Sequence, residues 1–222
     1  MQIAILGGTG DIGEGLALRF ARDTSHHIIV GSRTEEKAEK KAAEYRDKLE
    51  PYGGNYDISG MDNLSATESG ELVIMAIPPQ HLRSTVESVD NSLTEDKIVV
   101  SPAVGMQRNK AGFHYNQPKI GSIAELIDSF ISDDVPVVGA FQNLAAGKLS
   151  NLEKEFLADV IVTGDETEAK KTVSELAEAV TGIRSLDGGS LANSSEVESL
   201  TPLLINIAMS NDGMHNLGVK FQ

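Results

Sequence analysis

Gly7-Gly8-Thr9-Gly10-Asp11-Ile12-Gly13 is the stretch on which the reading of this chain turns. The apolar run Gln2 to Leu6 stops at it, and beyond it Leu16, Ala17, Phe20 and Ala21 recur at helical spacing. The pattern reads as strand, tight turn, helix. Within it Gly8, Thr9, Gly10, Asp11, Ile12 and Gly13 fit the GxGxxG fingerprint of dinucleotide-binding turns. Gly8 would allow the sharp turn, Gly10 would remove a side chain where backbone approaches pyrophosphate, and Gly13 would let the helix pack closely on the strand. Glycine-rich turns are common, so the motif takes its weight from its place between a first strand and a first helix. A purely structural turn is the alternative.

Working outward, Ile28 to Val30 forms a second β-branched run ending at Gly31, after which Thr34 can cap a helix running to Leu49. Folds of this kind that bind NAD place an acidic residue about 20 positions on, to hold the ribose 2'-hydroxyl. Here that count reaches Arg33, flanked by Ser32 and followed one turn later by Lys37. Two cations and a hydroxyl suit a 2'-phosphate, so the expected cofactor is NADP. The competing reading pairs Arg33 and Lys37 with Glu35, Glu36 or Glu39 on a solvated face.

Further along, Leu72 to Ile77, Lys97 to Val100 and Val135 to Ala140 read as buried strands, with a helix at Ile123 to Ile131. Near-continuously apolar strands alternating with helices predict an α/β fold, a doubly wound parallel sheet covered on both faces. Leu157 to Val162 and Ile183 to Leu186 read as further strands. Asp165 with Glu168 reads as a capping box, and Leu200 to Met209 as a buried helix. A Rossmann-type domain over 1–150 and a small C-terminal α/β domain over 151–222 are expected.

Composition narrows the function. A chain of 222 residues, 40% hydrophobic and 23% charged, buries roughly 70% of its unfolded surface by size scaling. Without cysteine, thiolate chemistry, disulfides and zinc ribbons are excluded. The 33 acidic against 19 basic residues, net -14, repel nucleic acid and anionic membranes, so neither is an expected partner. No apolar run approaches the ~20 residues of a membrane helix, and no basic-then-apolar leader opens the chain. The expected location is the cytoplasm.

No catalytic constellation emerges. Tyr115 and Lys119 match a YxxxK spacing, but Pro118 between them breaks the helix that would put both on one face. The five histidines show no metal spacing, and no metal site is expected. His81, close after the third strand, has a structural role as its alternative. Arg108 to Lys110 reads as a basic loop that either meets an anionic second ligand or offsets local acidity.

Gly7 to Arg19, Gly31-Ser32-Arg33 with Glu36-Lys37-Ala38, Val99 to Pro102, the segment Gly139 to Ala146 (GAFQNLAA) and Glu198 to Asn206 together resemble the archaeal NADPH-dependent coenzyme F420 oxidoreductases. The last two segments are the more specific, and the resemblance spans the chain. It implies a Rossmann domain for NADP, a small domain enclosing the deazaflavin coenzyme F420, and a homodimer. Thr9 to Ile12 would bind pyrophosphate, and Ser32, Arg33 and Lys37 the 2'-phosphate. Ile77, Val104 and Ala145 would line the nicotinamide pocket, and Leu217 would touch the deazaflavin. Phe141 aligns where some members carry histidine, which leaves the polarity of the deazaflavin pocket open. The implied reaction is direct hydride transfer between deazaflavin C5 and nicotinamide C4, demanding no catalytic acid, base or nucleophile of the protein. An NADPH-dependent reductase of a small imine, ketone or acid, and a non-catalytic NADP-sensing protein, are the alternatives.

Overall fold

The computed structural model describes residues 1–222. The chain begins β1 (Gln2–Leu6), α1 (Asp11–Asp23), β2 (His27–Ser32), α2 (Glu35–Leu49), β3 (Ile58–Asp62), α3 (Asn63–Ser69), β4 (Leu72–Met75), α4 (Pro79–Val89) and β5 (Ile98–Ser101). It continues with β6 (Met106–Asn109), β7 (Gly112–Tyr115), α5 (Ile123–Asp128), β8 (Val137–Gly139), α6 (Ala146–Leu149), β9 (Ala158–Gly164), α7 (Thr167–Ala179), β10 (Ile183–Asp187) and α8 (Ser194–Ser210).

Eight strands form one sheet in the order β10-β9-β8-β5-β4-β1-β2-β3. All neighbours run parallel except β8 and β9. The apolar strands explain why: with both faces buried, successive residues feed opposite cores. Ile3 and Ile5 enter the core beneath α1, α2 and α7, while Ala4 and Leu6 enter the one beneath α3, α4 and α5. On α2 the buried set Ala38, Ala42, Tyr45 and Leu49 keeps a helical period in an otherwise charged helix. This is the doubly wound α/β architecture that the sequence predicts.

Some local expectations need correction. Strand β3 was not expected, because Ile-Ser-Gly-Met-Asp has no β-branched run; pairing with β2, Ile28 opposite Ile58 through Ser32 opposite Asp62, supplies its backbone partners. Of the expected loop Arg108 to Lys110 only Lys110 lies in a turn: Arg108 and Asn109 belong to the antiparallel β6–β7 hairpin, the Arg108 guanidinium 5.2 Å from the Phe113 ring centre. The expected capping box at α7 does not form. Glu166 takes the cap position without a side-chain bond, and the Asp165 carboxylate accepts the Leu191 N–H instead. Helix α8 is not a buried helix either. Val197, Glu198 and Pro202 face inward while Leu203, Ile207 and Met209 are exposed. Residues 151–222 extend the same sheet through β9 and β10, and Phe156, Val160 and Val162 share a core with Ile3 and Phe20.

Candidate functional site

A cleft of about 1500 Å³ opens beyond the carboxyl ends of β1, β2, β4 and β5. Strand order reverses at β1, with β2 on one side and β4 on the other, and such switch points are where open α/β sheets bind ligands. Thr9, Gly10, Asp11 and Ile12 line it from the first turn, Ser32, Arg33 and Lys37 from the end of β2 and α2. Ile77, Val104, Ala145 and Leu217 complete the set gathered from distant parts of the chain.

Gly8 and Gly13 do not line the cleft; they shape the turn from within. The left-handed residue is Gly7, at φ +74°, so the sharp turn expected of Gly8 is made one position earlier. Gly8 is required for closeness, since a Cβ there would lie 2.7 Å from the Ile5 carbonyl oxygen, and one on Gly13 would lie 2.7 Å from Gly8 Cα. A part invisible in the motif is Tyr45. Its buried phenol donates to the Gly8 carbonyl at 2.8 Å and ties α2 to the turn. Burial pushes the Tyr45 hydroxyl up from its ordinary range, so it stays a donor.

The residues present fit a dinucleotide. Gly10 caps helix α1 and offers no side chain to it, leaving the first N–H groups of the helix without intrahelical partners and open to an anion. Arg33 and Lys37 are exposed at the cleft and form no ion pair, so the competing pairing with Glu35, Glu36 or Glu39 does not occur. Deeper in, Asn63 Oδ1, Asn143 Oδ1 and both side-chain amide atoms of Gln142 are buried without a hydrogen-bond partner, and all three residues line the cleft. Unpaired buried amides are costly and call for a ligand that satisfies them. Asn63 was missed with β3; Gln142 and Asn143 lay inside the quoted GAFQNLAA segment but were not singled out. Phe141, expected to bear on pocket polarity, instead turns into the core against Phe20, ring centres 5.7 Å apart. Its left-handed backbone, φ +69°, puts Gln142 at the cleft instead. A site for one small ligand spans about 300–1,000 Å³, so this cleft has room for two.

Tyr115 lies at the end of β7 and Lys119 in the following loop, so the YxxxK match makes no helical pair. Tyr115 donates to Glu198 Oε2 at 2.9 Å, and the same carboxylate accepts the Ile123 N–H at 2.9 Å and the Ala124 N–H at 3.2 Å. Glu198 thereby fastens α8, one wall of the cleft, to α5 and the hairpin. Burial outweighs these bonds and raises its carboxyl to about 7. The folded pKa exceeds the unfolded value of about 4.3. Between the two the folded state binds the extra proton, so this group adds stability as pH falls from about 7 towards about 4. Wild type should therefore gain about 2–3 kcal/mol relative to Glu198→Gln between about pH 8 and about pH 5. Denaturant titrations at both pH values measure this, and a gap that narrows on acidification would contradict it.

Fold and cleft together define a Rossmann-type oxidoreductase built for a nicotinamide dinucleotide. Residues 2–105 match the family model for NADP oxidoreductase, coenzyme F420-dependent. The F420-dependent NADP reductase of Methanocaldococcus jannaschii is 39% identical over 213 residues, 93% of this chain and 92% of that one. That of Methanothermobacter thermautotrophicus is 35% identical over 225 residues, 99% of this chain and 94% of the relative. Among solved structures, an Arthrobacter protein assigned as an F420-dependent NADP reductase superposes with TM-score 0.80 at 21% identity, covering 100% of this chain and 99% of that one, a likeness of fold. The chain belongs to the F420-dependent NADP reductase family.

Proposed function

We propose that the two ends of the cleft divide the labour of an F420-dependent NADP reductase. The protein is an oxidoreductase of coenzyme F420 and NADP, and when both are bound they supply the redox chemistry themselves, a hydride passing between deazaflavin C5 and nicotinamide C4. The turn Thr9 to Ile12 presents backbone N–H groups to the pyrophosphate, with Gly8 and Gly13 holding the turn in shape. Ser32, Arg33 and Lys37 hold the 2'-phosphate. Ile77, Val104 and Ala145 form the apolar wall at the nicotinamide, and Leu217 covers the deazaflavin. Residues 151–222 act as the unit that closes the deazaflavin site on the 1–150 half. The protein aligns and dries the site, and no side chain serves as acid, base or nucleophile.

The observation that carries this reading is the convergence of the anion-ready turn, two unpaired cations and an apolar end on one cleft large enough for two ligands. Mixing the protein with NADPH and oxidised coenzyme F420 and following the deazaflavin absorbance tests it. Bleaching is the expected result; binding without turnover would favour an NADP sensor, and turnover only with small imines, ketones or acids the alternative reductase. Exposed Leu203, Ile207 and Met209 on α8 support a homodimer, and the family's cosubstrates support a cytoplasmic location.

Arg33→Ala should weaken NADP binding by roughly 2–3 kcal/mol, the scale of a charge-assisted contact, and leave NAD binding nearly unchanged. Calorimetric titration with each dinucleotide decides this. Equal losses would remove Arg33 from the phosphate site.

A further inference from the structure

Residues 211–221 follow α8 as a strap along the cleft, contributing His215, Asn216 and Leu217 to its lining. Over residues 212–218 the only hydrogen bond they make is from the Met214 N–H to the Asn211 carbonyl. Asn216 takes a left-handed backbone, φ +51°, and its side chain lies over Gly147, also a lining residue. So bent and sparsely bonded a segment depends on how its far end is held.

That end converges on Asp159, near the start of β9. The Asp159 N–H donates to the Val219 carbonyl at 2.8 Å, and its carboxylate accepts the Phe221 N–H at 2.6 Å. Lys220 Nζ stands 3.4 Å from the same carboxylate. The carboxylate is fully buried and gripped by Arg184, Nε at 2.9 Å and Nη2 at 2.6 Å, and Arg184 also donates to the Phe221 carbonyl. This paired arrangement keeps Asp159 ionised, its carboxyl held down at about 2 chiefly by the Arg184 bonds. From its backbone, the Asp159 carbonyl accepts Asn143 Nδ2 at 2.7 Å. One residue therefore anchors two lining elements, the strap and the Asn143 loop.

We propose that Asp159 is a positioning residue for the deazaflavin. Its carboxylate, locked by Arg184, clamps the strap so that Leu217 is held against the ring, while the NADP-binding groups at Gly10 and Arg33 are left alone. The proposal rests on the two-ligand reading of the cleft and adds to it the device that shapes one half. Surface area alone would not require such a clamp. A bidentate arginine and a buried carboxylate fix a segment to one geometry, where apolar packing would let it slide.

The test uses binding of each ligand alone, by deazaflavin fluorescence and by NADPH fluorescence. It compares wild type, Asp159→Asn, a chain stopped after Gly218, and the two changes combined. Each single change should weaken deazaflavin binding about tenfold and leave NADPH binding within about twofold, since positioning losses fall on the positioned ligand. The combined variant should lose no more than either alone, because both changes break one clamp. In steady state, KM for the deazaflavin should rise with KM for NADP unchanged. Parallel loss of both affinities, additive losses, or a shortened chain with full deazaflavin affinity would each overturn the proposal, the last even if Asp159→Asn fails to fold. Wild-type protein that binds NADPH but no deazaflavin would instead strike the two-ligand reading itself.

Discussion

Gly10→Val should leave the melting temperature within about 3 °C of wild type and weaken NADP binding on the order of 1,000-fold, the equivalent of two lost charge-assisted backbone contacts. The asymmetry comes from what surrounds the position. Gly10 has φ -92° and ψ 171°, a backbone that any residue adopts, and a Cβ there would meet only the Gly7 oxygen, at 3.4 Å. The added side chain thus has space in the fold, and that space is the cleft. Gly13 makes the control, because its Cβ would collide with backbone at 2.6 Å and Gly13→Ala must shift α1 away from the turn. Thermal melts and NADPH titrations on both variants separate the cases. Gly10→Val protein with near-native affinity would show that the phosphates do not approach this turn.

Arg19→Met should destabilise the chain by about 3–5 kcal/mol, which for this size lowers the melting temperature by roughly 10–15 °C. Arg19 is 2% exposed and forms no ion pair. Its guanidinium donates to the carbonyls of Leu149 at 2.9 Å, Asn151 at 2.6 Å and Lys148 at 3.1 Å, and lies 5.4 Å from the Phe156 ring centre. Burial, the largest influence, lowers its pKa from the ordinary arginine value. Methionine fills the volume and removes a buried charge, but it takes from the carbonyls of Leu149, Lys148 and Asn151 the donor they share. The loss of these unpaired acceptors outweighs the recovered desolvation. Since those carbonyls follow Ala145 and Gly147 on the cleft wall, ligand affinity should fall with stability. A shift under about 3 °C in a calorimetric scan would contradict this account.

Much of the cleft was legible from residue order alone because its parts are local. A glycine turn between an apolar strand and a helix, and a cation where an acid would stand at the end of the next strand, are short-range patterns with short-range causes. The doubly wound sheet followed from the same logic, as near-continuous apolar strands such as Leu72 to Met75 must be covered on both sides. What failed was what needs a partner far away. Strand β3 exists through its pairing with β2, and Asn63 at the cleft went unseen with it. The Asp165 carboxylate preferred the Leu191 N–H to its own helix end. Phe141, read as bearing on the pocket, packs on Phe20 in the core from a left-handed backbone, and its unremarked neighbour Gln142 lines the cleft.

By itself the sequence determined the fold class, the glycine turn and the cationic end of the cleft, since each is written in the identity and spacing of neighbours. Only the tertiary structure decided that Tyr45 holds the turn, that Glu198 fastens α8 to α5, and that Asp159 anchors the strap bearing Leu217. These contacts join residues 37, 75 and 62 positions apart. A buried polar group takes whichever partner the packed chain brings within about 3 Å, and no local pattern encodes that choice.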